Sequence, residues 1–373
     1  MNFQCNLDFA RQLDKSDEFA PFRNEFCFPS LKKIKQVSNK SNGLHDSDCN
    51  DLVYFAGNSL GLMAKRSSDY VNRELTKWSD IGVLGHEKGE LPWVSCENYT
   101  VKYLADLLGC AEDEVVCMNN LTSNMHLLLS SFYRPTSDRF KLAIEGGAFP
   151  SDHYAVENHC EMHGFDPKNA MLIFKPREGE DLLRMDDILA TIEREGPKLS
   201  CIFMSAIHFR TGQYFDIEKI VQAGHKVGAF VGIDLAHAIG NVPLYLDRWN
   251  VDFACACTYK YLNSGAGGIG VAYINRRHFD RQPRLIGWFA HRLETRFVMD
   301  NQIEYDKGAA GFKTGNQSPL LCASLLGSLE LFEKAGGIAK LRNKSLKLTA
   351  YLEWLINKSP LFEDLRGITI LNF

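Results

Sequence analysis

The chain has 373 residues, 45% hydrophobic and 24% charged, enough for a full core and more than one compact unit. Its formal net charge of −4 provides no basic field for nucleic acid, and no stretch approaches the roughly eighteen consecutive apolar residues of a membrane span. The first residues, Met1-Asn2-Phe3-Gln4-Cys5, lack an export signal, and the eleven cysteines are odd in number, scattered and never spaced C-x-x-C, which fits reduced thiols in a cytoplasmic protein and no metal centre.

In chain order, residues 6–37 read as helical segments broken at Pro21 and Pro29, and 38–51, rich in Ser, Asn, Asp and Gly, reads as a loop. Residues 1–50 are therefore expected to form an arm ahead of the main domain. Val53-Tyr54-Phe55 leads into the turn Ala56-Gly57-Asn58-Ser59-Leu60-Gly61, which presents Ser59 beside flexible backbone. Ser67 or Ser68 is expected to cap an amphipathic helix with Tyr70, Val71, Leu75 and Trp78 on one side. His86 falls in a loop closed by Pro92 and Trp93, where a lone histidine is by default a surface residue.

Residues 115–118 read as a short strand that Asn119-Asn120-Leu121-Thr122-Ser123-Asn124 turns into an apolar helix through Leu129. Free N–H groups, the helix dipole and the Thr122 hydroxyl meet at that helix start, which suits a phosphate, although an ordinary N-cap reads much the same. A strand at 142–144 is followed by Gly146-Gly147-Ala148-Phe149-Pro150-Ser151-Asp152-His153, where Phe149 is placed to stack on a ring and Asp152 to add a carboxylate. A helix is expected over 181–195, a strand over 201–204 ending at Ser205, and a helix over 217–227 returning the chain to a strand at 228–233. Another strand, 253–257, leads into Thr258-Tyr259-Lys260-Tyr261-Leu262-Asn263-Ser264-Gly265-Ala266-Gly267-Gly268, and an apolar run at 269–274 follows. Two helices, 319–334 and 338–358, come last.

Strands alternating with helices, each candidate polar residue just after a strand, indicate an α/β fold with a mostly parallel sheet flanked by helices and one active edge. Asp234, in Asp234-Leu235-Ala236-His237, and Lys260 leave two of these strand ends. A lysine after a strand is usually a solvated strand end, and a lone Asp-x-x-His is usually turn chemistry. Together they match what pyridoxal 5'-phosphate (PLP) needs: a lysine to hold it as a Schiff base and an acid to keep its pyridine nitrogen protonated.

Taken together, Asp234-Leu235-Ala236-His237-Ala238, Thr258-Tyr259-Lys260-Tyr261-Leu262-Asn263 with its glycines, Gly57-Asn58-Ser59-Leu60-Gly61, Phe149-Pro150-Ser151-Asp152-His153-Tyr154 and Gly287-Trp288-Phe289 resemble the kynureninases. The resemblance implies an aspartate-aminotransferase-like, PLP-dependent large domain and a homodimer with shared sites. It also implies hydrolysis of L-kynurenine or 3-hydroxy-L-kynurenine to anthranilate or 3-hydroxyanthranilate plus L-alanine, in tryptophan catabolism and NAD biosynthesis. Carried over by position, Lys260 is the Schiff-base lysine, Asp234 the ring-nitrogen partner, and Tyr259 a further catalytic and phosphate-end residue. Leu121, Thr122 and the partner's equivalent of Trp288 serve the phosphate; Phe149 and Asp152 flank the ring; Pro150, Ser151, Ser205 and His237 contact the cofactor. Asn316 is expected from the second subunit, and Ser59, His86 and Asn316 to line the substrate pocket.

The implied layout is an arm at 1–50, a PLP-binding domain at 51–318, and connecting helices plus the start of a small C-terminal domain at 319–373. Family members continue past this point to an arginine that binds the substrate carboxylate, so an incomplete small domain and impaired turnover are expected. Two alternatives remain open: a catalytically impaired chain that binds PLP or dimerises, and a cysteine desulfurase-like lyase. The second needs a cysteine on a loop over the site, and Cys322 falls inside a helix.

Overall fold

The computed structural model describes residues 3–37 and 52–358. The loop expected at 38–51 and the strand expected at 367–373 lie outside the described residues. The arm holds α1 (Leu7–Lys15), β1 (Phe26–Cys27) and α2 (Leu31–Val37), and β1 pairs antiparallel with β2 (Met63–Ala64). The main domain continues through α3 (Lys65–Ile81), α4 (Asn98–Leu108), β3 (Val115–Cys117), α5 (Leu121–Phe132), β4 (Lys141–Glu145), α6 (Pro150–Met162), α7 (Pro167–Ala170) and β5 (Met171–Phe174). It is completed by α8 (Met185–Glu195), β6 (Leu199–Ser205), α9 (Ile217–Lys226), β7 (Phe230–Asp234), β8 (Phe253–Cys257), β9 (Gly270–Ile274) and α10 (Leu293–Arg296). The long helices α11 (Pro319–Lys334) and α12 (Ile338–Lys358) follow.

Strands β3 to β9 form one sheet in the order β3-β9-β8-β7-β6-β4-β5, in which β9 alone runs against its neighbours. The strands are buried on both faces, which is why they read as apolar runs without a clean alternation. Their side chains still divide between two cores. Ile202, Met204, Ile233 and Ala254 pack on one face, and Cys201, Phe203, Phe253 and Cys255 on the other.

Three local expectations change. The third helix starts at Lys65, so Ser67 and Ser68 lie inside it; Ser67 is buried and its hydroxyl donates to the Ser324 carbonyl of α11 at 2.6 Å. That approach requires Gly327, whose added Cβ would stand 2.6 Å from the Ser67 nitrogen. On the apolar side of α3, Tyr70 and Val71 are half-buried, whereas Leu75 is 41% and Trp78 63% exposed. Helix α8 begins at Met185 rather than 181, because the Gln213 side chain occupies both the N–H and the carbonyl of Leu183. Strand β5 and helix α6 come from stretches in which no element was expected.

The edge of the sheet opposite the strand carboxyl ends is fastened by one buried acid. Asp252 accepts hydrogen bonds from His225, His278, Arg277 and the Val231 N–H. Burial pushes its carboxyl up, but the bonds from His225, His278 and Val231 and the Arg277 charge outweigh that and hold it well below the usual carboxylate range. Such a depressed group contributes its stability above the unfolded-state value, near pH 4, and loses it as acid protonates the folded form. Asp252→Ala, which strands these donors, should cost about 3–5 kcal/mol at neutral pH in urea unfolding. A loss below about 1 kcal/mol would show that the cluster is not a fastening.

Candidate active site

The parallel register brings the carboxyl ends of β4, β6, β7 and β8 to one edge, with Ser205 paired to Asp234 and Asp234 to Cys255. There, together with the N-termini of α5 and α6, they enclose a cavity of about 440 Å³. Lys260 enters it from the turn after β8. Its Nζ donates to His237 Nε2 at 2.9 Å and lies 5.9 Å from the centre of the Phe149 ring. Burial, then the Lys260 charge, pushes His237 down to about 4, so the imidazole is neutral and accepts a hydrogen bond from the lysine amine. The turn carrying Lys260 is clamped by the preceding loop: Gly61 N–H donates to the Tyr259 carbonyl at 2.8 Å, and a Cβ on Gly61 would collide with the Lys260 carbonyl at 2.2 Å.

Asp234 closes β7 and accepts the Ala236 N–H at 2.8 Å. Burial raises its carboxyl, opposed by that N–H and by Lys260. Asp152, in the first turn of α6, is raised well above the usual range by burial and then by the charges of Asp234 and Glu145. Its buried Oδ1 has no hydrogen-bond partner among the described residues. At the start of α5, which also lines the cavity, Asn120 caps the helix by accepting the Ser123 N–H at 2.9 Å, and the Thr122 and Ser151 hydroxyls meet at 2.7 Å. This is a helix start with hydroxyls and no carboxylate, suited to an anion. Tyr259 lines the same cavity, its phenol raised to about 12 chiefly by burial.

The cavity therefore brings together Leu121, Thr122, Phe149, Ser151, Asp152, Ser205, Asp234, His237, Tyr259 and Lys260, with Pro150 opening α6 between Phe149 and Ser151. It does not gather the others. His86, Trp288 and Asn316 line a second cavity of about 660 Å³ in the same chain, where His86 stands edge-on to Trp93. Ser59 is exposed in its turn and lines neither cavity. Glu145 and Phe209 line the first cavity without having been expected there. Glu145 was legible as an acid closing an apolar strand, the same signal as Asp234, whereas Phe209 lies in a loop with no distinguishing pattern. Cys322, the cysteine a desulfurase reading would need, is buried in α11 away from the cavity.

These features fit PLP. An anion cradle, a lysine amine hydrogen-bonded to a neutral imidazole, an aromatic ring and buried carboxyls line one cavity, and these are the kinds of group that the phosphate, aldehyde, ring and ring nitrogen of PLP require.

Comparison with known proteins gives the same direction. The aminotransferase class-V family profile matches residues 97–367. Kynureninase of Rattus norvegicus is 48% identical over 348 residues, 93% of this chain and 74% of that protein, and that of Homo sapiens is 47% identical over the same shares. Kynureninase of Myxococcus xanthus is 42% identical over 96% of this chain and 81% of its own. Among solved structures, the cysteine desulfurase CsdA of Escherichia coli superposes with a TM-score of 0.70 at 15% identity, covering 92% of this chain and 78% of that one. A C-DES variant with glycine covalently linked to its PLP cofactor superposes with a TM-score of 0.68 at 16% identity, covering 89% and 81%. At such identities these two structures share the fold alone, whereas identities of 42–48% over nearly the whole chain favour neither a desulfurase nor a non-catalytic reading. No helix among the described residues is long and apolar enough to cross a membrane. With fold, cavity and relatives in agreement, the chain belongs to the kynureninases, within the PLP-dependent aminotransferase class-V family.

Proposed function

We propose that the cavity at Lys260 is where this chain hydrolyses L-kynurenine or its 3-hydroxy form to the corresponding anthranilate and L-alanine, a step of tryptophan catabolism and NAD biosynthesis. The observation that carries this reading is the gathering of one lysine amine with the Asp152 and Asp234 carboxyls in a cavity also lined by a helix N-terminus. Bound PLP supplies the electron sink for the substrate Cα and for cleavage of the Cβ–Cγ bond. The chain's own residues do the rest. Thr122, Ser151, Tyr259 and the first N–H groups of α5, with Leu121 beside them, hold the phosphate; Phe149 covers the ring; Asp234 keeps a proton on the ring nitrogen; Ser205 and His237 orient the cofactor. His237, being neutral, holds the Lys260 amine in place without competing for its proton. Lys260 would hold the cofactor and, as a free amine, would remove the substrate Cα proton, and water added to the γ-carbonyl would leave as part of the anthranilate carboxylate when the Cβ–Cγ bond breaks.

The second cavity supports a homodimer. His86, Trp288 and Asn316 line a concave surface amid exposed Val83, Leu84 and Phe297, and α3 presents an exposed Trp78 nearby in sequence. In this reading, Trp288 and Asn316 complete the site of the other subunit, while Ser59 and His86 meet the substrate. We place the domain boundaries at about residues 50 and 318, and the protein in the cytoplasm.

The test is formation of anthranilate and alanine by PLP-loaded protein given kynurenine and, separately, 3-hydroxykynurenine; no product from either substrate would refute the assignment. Mixing inactive Lys260→Ala with inactive Asn316→Ala subunits tests the shared site, since mixed dimers regain up to one intact site of two. No recovery in dimers shown by sedimentation to be mixed would refute the sharing.

A further inference from the structure

Glu145 is an acid in this cavity to which the reaction assigns no part. It ends β4, is 2% exposed, and turns toward the same space as Asp234. Its Oε1 accepts the Ser205 hydroxyl at 2.5 Å, and both carboxyl oxygens stand 3.2 Å from the Ser205 N–H. Ser205 is paired in register with Asp234, so the Glu145 carboxyl reaches Asp234 through one hydrogen-bonded residue on the intervening strand.

Charge accounting then separates the acids. Glu145, Asp152 and Asp234 are all buried, and the cation among the cavity residues is Lys260. Buried carboxylates in such surroundings cannot all ionise, because each uncompensated charge is strongly penalised. Asp234 has the Ala236 N–H and Lys260, and is the best served as an anion. Asp152 stands against Asp234 with one oxygen unpartnered. Glu145 has only neutral donors, the Ser205 hydroxyl and N–H and its own backbone N–H, and no cation among the described residues is set against it. His208, from the loop after β6, turns its Nε2 to the Gly146 carbonyl at 3.2 Å, and on the β5 side the Gly146 N–H is taken by the Phe174 carbonyl.

We propose that Glu145 is a positioning residue that clamps Ser205 beside Asp234 and carries a proton in the working enzyme, leaving Asp234 as the anion opposite the ring nitrogen. The proposal rests on the assignment of Asp234 to that nitrogen. Burial pushes the Glu145 carboxyl up to about 7, the Ser205 bonds opposing and the Asp234 charge adding, so its proton is present below neutrality and lost above it. Ionisation then puts a second negative charge next to Asp234, which shifts the proton balance of the bound cofactor.

Glu145→Gln and Glu145→Ala test this. The glutamine keeps the shape and the oxygen that accepts the Ser205 N–H but cannot ionise; the alanine removes the clamp. In the cofactor-free protein, infrared difference spectra of parent minus Glu145→Gln should contain a protonated-carboxyl band that disappears with a midpoint of about 7. In the holoenzyme, the visible spectrum of the parent should contain a pH step which Glu145→Gln lacks, and Glu145→Ala should weaken cofactor binding about tenfold. A parent without the infrared band, or a spectral step that persists in Glu145→Gln, overturns the proton-carrying role. Cofactor binding in Glu145→Ala equal to the parent overturns the clamp. Asp234→Asn, recorded alongside, separates the two readings: an unchanged cofactor spectrum there would mean that the Asp234 assignment had failed, whereas the infrared band of Glu145 does not depend on it.

Discussion

Lys260→Ala is expected to abolish the covalent attachment of the cofactor and to lower kcat/KM for kynurenine by roughly four orders of magnitude or more. The lysine has two tasks, anchoring the cofactor and moving the Cα proton, and general acid-base transfer alone contributes about 10²–10⁴-fold. The fold should survive, because the side chain reaches into an open cavity and its amine is tied to the chain by the hydrogen bond to His237. The measurement pairs steady-state rates with borohydride reduction and peptide mapping. In the parent the label should fall on Lys260, and in the variant on no residue. A label on another lysine, or a rate within tenfold of the parent, would remove Lys260 from the reaction.

Asp234→Ala should lower kcat by about 10²–10³-fold while cofactor still binds. The loss is that of a preorganised charge acting where electrons arrive, which in a dry site is worth several kcal/mol. Binding persists because the phosphate end, at Thr122, Ser151 and the start of α5, is built from other elements. Asp152 makes the residual rate informative. Its carboxyl is raised by burial and by the neighbouring Asp234 charge, so without Asp234 it should ionise more readily and supply part of the missing charge as pH rises. Activity of Asp234→Ala should therefore climb with pH, and Asp152→Asn in the same chain should abolish the climb. A variant at the parent rate, or a residual rate independent of Asp152, would contradict this division of labour.

Much of the fold was legible because its signals are local. An apolar run of strand length followed by a polar turn marked the strands ending near Ser205, Asp234 and Lys260, and apolar patterning marked α11 and α12 to the residue. Strand β5 escaped because four apolar residues, Met171–Phe174, are ambiguous without the neighbouring β4 that pairs with them. Helix α6 escaped because Gly146 and Gly147 signal a turn, although Pro150 at its first position and Asp152 in its first turn are helix-start residues. The start of α3 was misplaced because Ser67 looks like a cap, whereas its hydroxyl serves α11, distant in sequence.

The residue types at the candidate site, and their places after strands, were determined by the sequence alone: Lys260, Asp234, Asp152, Phe149 and Thr122 follow short-range patterns that need no partner to be read. Only the tertiary structure decided what these groups do to one another. The register that sets Ser205 beside Asp234, the neutral imidazole at Lys260, the Asp152 oxygen without a partner and the hold of Glu145 on Ser205 all arise between strands distant in the chain. The same holds for the separation of His86, Trp288 and Asn316 into a second cavity. Charges act through space with the inverse of distance and burial is set by whatever packs around a group, so protonation in this cavity belongs to the assembled sheet edge and to no single stretch of the chain.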